Sequence, residues 1–340
     1  MKWGIRATSL GIFSVLLLVL AACGPDLNLL DSPKDLYIND VIVTGTGDGW
    51  AVGLQPGRGQ PVLLHASNGM WHLDANPPPG QGGDTLKAVA YAGNTLWVAG
   101  LQADATHGDA TQESGFAFAR GPDGVWHRQK FGAAINAITF VSATDGWAVG
   151  GGGAIYHDLN GTWMQAVNSM DNILYAVAFR SPTDGWATGE MGAVIHYDGT
   201  SWQPQEHFTH EDINGVALTA NDGWAVGTEG TVLRLGSNNL WYEVATPLTA
   251  TLAVHAVAIT NGNVWIVGDH GLVFERTDIN QQWNHIAPPA DAQLNTLAIT
   301  PTGQVWIGAN LGSSAIFDFT NGAWRTEAVS FGAASSQAGS

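Results

Sequence analysis

The chain has 340 residues, 45% of them apolar, which is enough to bury a sizeable core. Its 29 acidic against 12 basic side chains exclude a binder of nucleic-acid backbones, which demand clustered Lys and Arg. A single cysteine, Cys23, excludes an intrachain disulfide.

Residues 1–22 read as a signal peptide, with Lys2 and Arg6 ahead of the apolar run GIFSVLLLVLAA. That run is too short to span a bilayer comfortably. It ends in Leu20-Ala21-Ala22-Cys23-Gly24, which resembles a bacterial lipobox. The resemblance implies that Cys23 is diacylated and becomes the mature N-terminus. Two or three acyl chains, at about 0.8 kcal/mol per buried methylene, hold a protein stably on a membrane. Removal of Lys2 and Arg6 leaves ten basic residues against 29 acidic ones. Electrostatic docking on anionic lipid is therefore not expected, and the lipid anchor acts alone. Residues 23–35 read as the lipidated cysteine and a tether, and 330–340 as a frayed tail.

Between them, residues 36–329 repeat. Fifteen tryptophans are present, and fourteen fall into two families. Trp50, Trp97, Trp147, Trp186, Trp224, Trp265 and Trp306 stand in the phrase DGWAVG or a worn copy of it. Their separations are 47, 50, 39, 38, 41 and 41 residues. Trp71, Trp126, Trp163, Trp202, Trp241, Trp283 and Trp324 follow tight turns. Self-similarity near 40 residues signals a repeat architecture.

Each repeat decodes into four short strands by its period-two alternation and its Gly, Asn and Asp boundaries. Asn-Gly or Asp-Gly at 68–69, 123–124, 160–161, 198–199 and 321–322 predicts two-residue type I′ hairpins. Four antiparallel strands repeated seven times give an all-β, seven-bladed β-propeller. The blades are expected at about 36–75, 85–129, 134–166, 173–206, 212–246, 253–287 and 294–329. Within the phrase, Trp147 and Val149 face one side of the strand and Ala148 and Gly150 the other. The phrase is thus mainly a building part, a large face for packing on the small face of the next blade.

Counting back ten or eleven residues from each tryptophan of the first family reaches Asn39, Lys87, Asn136, Tyr175, Asn214, His255 and Asn295. These are expected to form a polar ring at one mouth of the channel. His65, His157 and His196 each precede a second-family tryptophan by six residues, which marks a hydrogen-bonding repeat position.

Loops that join blades vary most freely. The longest insertions, 54–61 and 101–114, belong to blades one and two, and Arg58, Asp104, His107, Asp109 and Glu113 make a candidate partner-binding wall there. The loop 203–212 contains His207 and His210, a His-x-x-His spacing that is permissive for a metal. In a loop it indicates little, and no metal or other cofactor is expected. There is no Gly-x-Ser-x-Gly, phosphate loop or Cys/His cluster, so no catalytic residue is assigned.

The stretch AVAFRSPTDGWATGEMGAVIHYDGTSW (176–202) resembles two related groups. One is a set of bacterial secreted propellers related to Asp-box (BNR, sialidase-like) repeats. The other is the photosystem II assembly and stability factor family, seven-bladed propellers that include thylakoid lipoproteins. The resemblance implies a propeller over residues 36–329 and, for the second group, a partner protein in a photosynthetic complex. The basic residues here are scattered, unlike the arginine-rich face of that family. The HYDGTSW and HDLNGTW segments are shorter than an Asp box, and the seven arginines of the repeats do not converge as a sialidase requires. The reading is a monomeric, non-enzymatic scaffold, exported and lipid-anchored to the cytoplasmic or outer membrane. It is expected to bind a protein or an envelope component. The alternatives are a photosystem II assembly factor-like protein and an Asp-box-type carbohydrate-binding protein or glycoside hydrolase.

Overall fold

The computed structural model describes residues 36–45, 47–67, 69–80, 83–102, 114–205, 209–277, 279, 281–311, 315–327 and 329–330. Cys23, Asp104, His107, Asp109, Glu113 and His207 lie outside the described residues, as do the signal peptide and tether.

Strands assemble as seven four-stranded antiparallel blades, at 37–73, 84–131, 135–166, 174–204, 213–243, 254–285 and 293–326. The chain is a β-propeller. In each blade the innermost strand begins at the channel mouth and the second strand returns to it, as the pairings Ile38↔Gly53 and Ile135↔Gly150 show. Turns between second and third strands therefore share the mouth face with the loops joining blades.

Apolar clusters fill the seams. Trp147 and Val149 of blade 3 pack with Leu174, Ile195 and Trp202 of blade 4, while Ala148 packs toward Ala88 and Ala99 of blade 2. The two tryptophan families meet across seams, edge to face. Trp306–Trp71, Trp97–Trp163, Trp147–Trp202, Trp186–Trp241 and Trp224–Trp283 have ring centroids 5.1, 5.7, 5.4, 5.5 and 5.8 Å apart. Such pairs contribute about 0.5–1.5 kcal/mol beyond their burial. Between blades 1 and 2 a cation intervenes: the Arg120 guanidinium lies 4.9 Å from the Trp50 ring and 4.7 Å from the Trp126 ring. It also bonds both oxygens of Asp74, at 2.7 and 3.1 Å.

The aspartate of the repeated phrase has its own partner. Asp145 bonds His157 at 2.8 Å and Asp184 bonds His196 at 3.1 Å, and each imidazole stacks on the tryptophan opposite. In blade 5, Arg234 takes the histidine's place beside Asp222 and Trp224. Blades 6 and 7 reverse the chemistry, with Asn263–Glu275 at 3.0 Å and Gln304–Asp318 at 2.7 Å. The final glycine of the phrase is fixed by close approach: a Cβ on Gly189 would lie 1.9 Å from the Ile173 carbonyl oxygen.

Not every hairpin follows the expected type. At Asn160-Gly161 and Asn321-Gly322 both central residues have positive φ, as type I′ requires. At 123–124 and 198–199 only the glycine does. There the aspartate acts through its side chain instead, Asp198 Oδ1 accepting from the Thr200 and Ser201 amides at 2.9 Å. Bonds from the Thr200 hydroxyl and these amides hold the Asp198 carboxyl down at about 2.

The chain continues past the outer strand of blade 7. Val329–Ser330 pair in parallel with Trp71 and His72 on the outer edge of blade 1, one residue beyond the expected end at 329. This strap adds to the direct bridge Tyr37↔Asn310 between blades 1 and 7.

Candidate functional site

Each innermost strand carries one of the seven ring side chains near its mouth end, and all seven line a single cavity of about 240 Å³: Asn39, Lys87, Asn136, Tyr175, Asn214, His255 and Asn295. The register places them there, since the distance back from each tryptophan fixes the height along the strand.

Four of the seven also stitch the ring together. The carboxamide nitrogen of Asn39 donates to the Leu86 carbonyl of the next blade at 2.7 Å, Asn136 to Leu174 at 2.9 Å, Asn214 to Val254 at 3.0 Å, and Asn295 to Ile38 at 2.7 Å. A carbonyl acceptor fixes which end of each amide is nitrogen. Among the described residues, no donor reaches Oδ1 of these asparagines. Sequence reasoning places them in a polar ring at the channel mouth but misses the stitch, which crosses to a residue 38 to 47 positions away or, at the closing seam, 257.

The other three differ in chemistry. Lys87 is half-buried and has no hydrogen-bond or ion-pair partner among the described residues. Burial, then the charges of Asp212 and Glu190, push the Tyr175 phenol up, helped by a hydrogen bond to Asp212. His255 Nε2 bonds Asp269 at 2.8 Å and approaches the Gln293 amide at 3.3 Å. Burial would raise the Asp269 carboxyl, but bonds from His255 and the Ala253 amide, with the nearby histidines, hold it below its ordinary value.

One further cavity residue stands outside the ring of seven. Asp40 follows Asn39 where the other blades have Ala88, Ala137, Ala176, Gly215, Ala256 and Thr296. It accepts from the Val41 amide at 2.9 Å, the Val89 amide of blade 2 at 2.9 Å and the Thr296 hydroxyl of blade 7 at 3.2 Å. Protein surrounds it except on its channel side, and this burial raises its pKa to about 6 against the opposing hydrogen bonds. A carboxyl with a raised folded pKa favours folding below the unfolded value and loses that contribution as pH rises through the folded one. The shift from 3.8 to about 6 corresponds to about 3 kcal/mol. Asp40→Asn cannot titrate, so the stability of wild type minus variant should fall by about 2–3 kcal/mol between pH 4 and pH 7. Denaturant titrations at fixed pH check this, and parallel curves for the two proteins would refute the assigned burial.

The remaining candidates are spread more widely. Arg58 is exposed in the mouth-face turn of blade 1, where Gly83 N donates to Gly59 O of the same turn at 3.0 Å. The 101–114 insertion leaves its sheet at the Gln102↔Ser114 pair, at the mouth end of blade 2. His210 is exposed in the loop between blades 4 and 5, and the neighbouring Glu211 accepts from the Thr228 hydroxyl at 2.8 Å. Among the described residues no group of three or more His, Cys, Asp or Glu is placed to hold a metal ion.

No protein-family model and no curated protein matches the chain. Solved structures do. A structure described as "YCF48 bound to D1 peptide" is 17% identical over 84% of this chain and 92% of its own, with a TM-score of 0.64. YCF48 from Cyanidioschyzon merolae is 16% identical over 84% and 95%, with a TM-score of 0.63. A streptogramin B lyase is 15% identical over 86% and 94%, with a TM-score of 0.67. These likenesses establish the fold. They do not choose among activities, because one neighbour is bound to a peptide and another is named as a lyase.

Proposed function

We propose that this propeller is a non-enzymatic, lipid-anchored scaffold that binds a partner protein or envelope component on its mouth face. One observation carries the reading: the variable turns, the blade-joining loops and the polar cavity all gather on that face. Likeness to a propeller seen bound to a peptide supports the same reading. A photosystem II assembly factor-like role is the narrower form of it. The alternative of an Asp-box glycoside hydrolase needs two carboxyl groups about 5–10 Å apart across a cleft. In the channel cavity the lining carboxylate is Asp40, held by three hydrogen bonds.

The chain enters the first strand from the mouth side, after thirteen residues that begin at Cys23. Fully extended, such a tether reaches about 45 Å. In this reading a partner at the mouth face lies in the membrane or close above it. Fractionation of a Cys23→Ala variant tests the anchor. Precursor accumulation or release to the soluble fraction is expected; a variant that is processed and stays with the membrane would end the lipoprotein reading. Crosslinked recovery from the native membrane tests the scaffold, with a defined partner expected in near-stoichiometric yield and no enriched component counting against it.

A further inference from the structure

The channel mouth has an uneven supply of hydrogen-bonding groups. On one side stands the Lys87 ammonium, which has no protein partner among the described residues. Around the rest of the ring Asn39, Asn136 and Asn214 each spend one of their two amide N–H groups on a stitch, and among the described residues their Oδ1 atoms are left as acceptors. Beyond the ring on blades 5 and 6 stand two carboxylates, Asp212 beside Tyr175 and Asp269 beside His255. The cavity lining therefore offers one cation on blade 2, the asparagine acceptors and the Asp40 carboxyl of blade 1, with Asp212 and Asp269 beyond it. Its volume of about 240 Å³ falls below the roughly 300–1,000 Å³ typical of drug-sized ligand sites and matches something the size of an amino acid or dipeptide.

We propose that this cavity binds a small zwitterion, a free amino acid or dipeptide, with its carboxylate on Lys87 and its ammonium among the asparagine oxygens and toward Asp212 and Asp269. A simple anion would satisfy Lys87 but meet unpaired acceptors and repelling carboxylates. A simple cation would satisfy the acceptors and meet Lys87. A zwitterion pairs both, and charge-assisted hydrogen bonds of this kind are stronger than neutral ones. The site is separate from the partner-binding reading and does not require it.

Isothermal titration of the soluble propeller, residues 24–340, at low salt tests the proposal. The probes are glycylglycine and 6-aminohexanoate, with N-acetylglycine as the anion-only and ethanolamine as the cation-only control. Saturable binding of at least one zwitterion is expected, at least tenfold tighter than either control. Lys87→Met should weaken it tenfold or more with an unchanged melting temperature, because Lys87 bonds no other described residue. Lys87→Arg keeps the charge and should retain binding within a few-fold. The proposal is overturned by absence of saturable zwitterion binding, by controls that bind equally well, or by undiminished binding to Lys87→Met. A Lys87→Met protein that fails to fold would leave Lys87→Gln to decide on the same criterion.

Discussion

Trp186→Ala should lower unfolding stability by about 3–5 kcal/mol, the range for a large aromatic side chain removed from a core. Trp186 is fully buried, lies edge to face on Trp241 of the next blade and stacks on His196. The substitution opens a cavity at the seam between blades 4 and 5, and strands held by hydrogen bonds on both sides can collapse into it only in part. Denaturant unfolding monitored by circular dichroism gives the number. A change below about 1 kcal/mol would mean that seam packing is not what holds the ring together.

The second large effect belongs to Arg120→Ala. Its guanidinium is bidentate on Asp74, donates to the Asn76 carbonyl at 2.8 Å and lies between Trp50 and Trp126. The Asp74 and Arg120 side chains are only 9% and 12% exposed, so truncation strands a carboxylate away from water. Breaking such a pair from one side costs about 3–5 kcal/mol, more than an exposed ion pair would. Arg120→Ala paired with Asp74→Ala should recover part of the loss, because no unpaired charge then remains. A double variant as unstable as the sum of the singles would place the energy in the aromatic contacts instead.

These two residues also show what was legible in the sequence. Trp186 announces itself: it recurs at a fixed period in a fixed phrase, and a period is visible in one dimension. The ring residues were legible for the same reason, because distance from the tryptophan sets their height on the strand. Arg120 was not legible. Its partners Asp74 and Asn76 lie 46 and 44 residues away in another blade, and the cation stands where five other seams pair two tryptophans directly. Asp40 breaks the pattern of small residues behind the ring, but that break means something only once Val89 and Thr296 are seen converging on it. The Val329–Ser330 strap was missed because it pairs with blade 1, outside the four-strand repeat. The Asp-Gly turns at 123–124 and 198–199 were misread because the same aspartate can serve a turn through its backbone or its carboxylate. Local periodicity carries the frame, and contacts made once across the ring do not register in it.

The proposed partner surface is the mouth face, and site-specific crosslinking tests it directly. A photocrosslinking residue placed at Arg58, in the mouth-face turn of blade 1, and another at Leu159, exposed at the opposite end of blade 3, sample the two faces in the native membrane. The account predicts a discrete crosslinked species from position 58 and none from position 159. Crosslinks from 159 alone, with 58 silent in a folded and anchored protein, would contradict it.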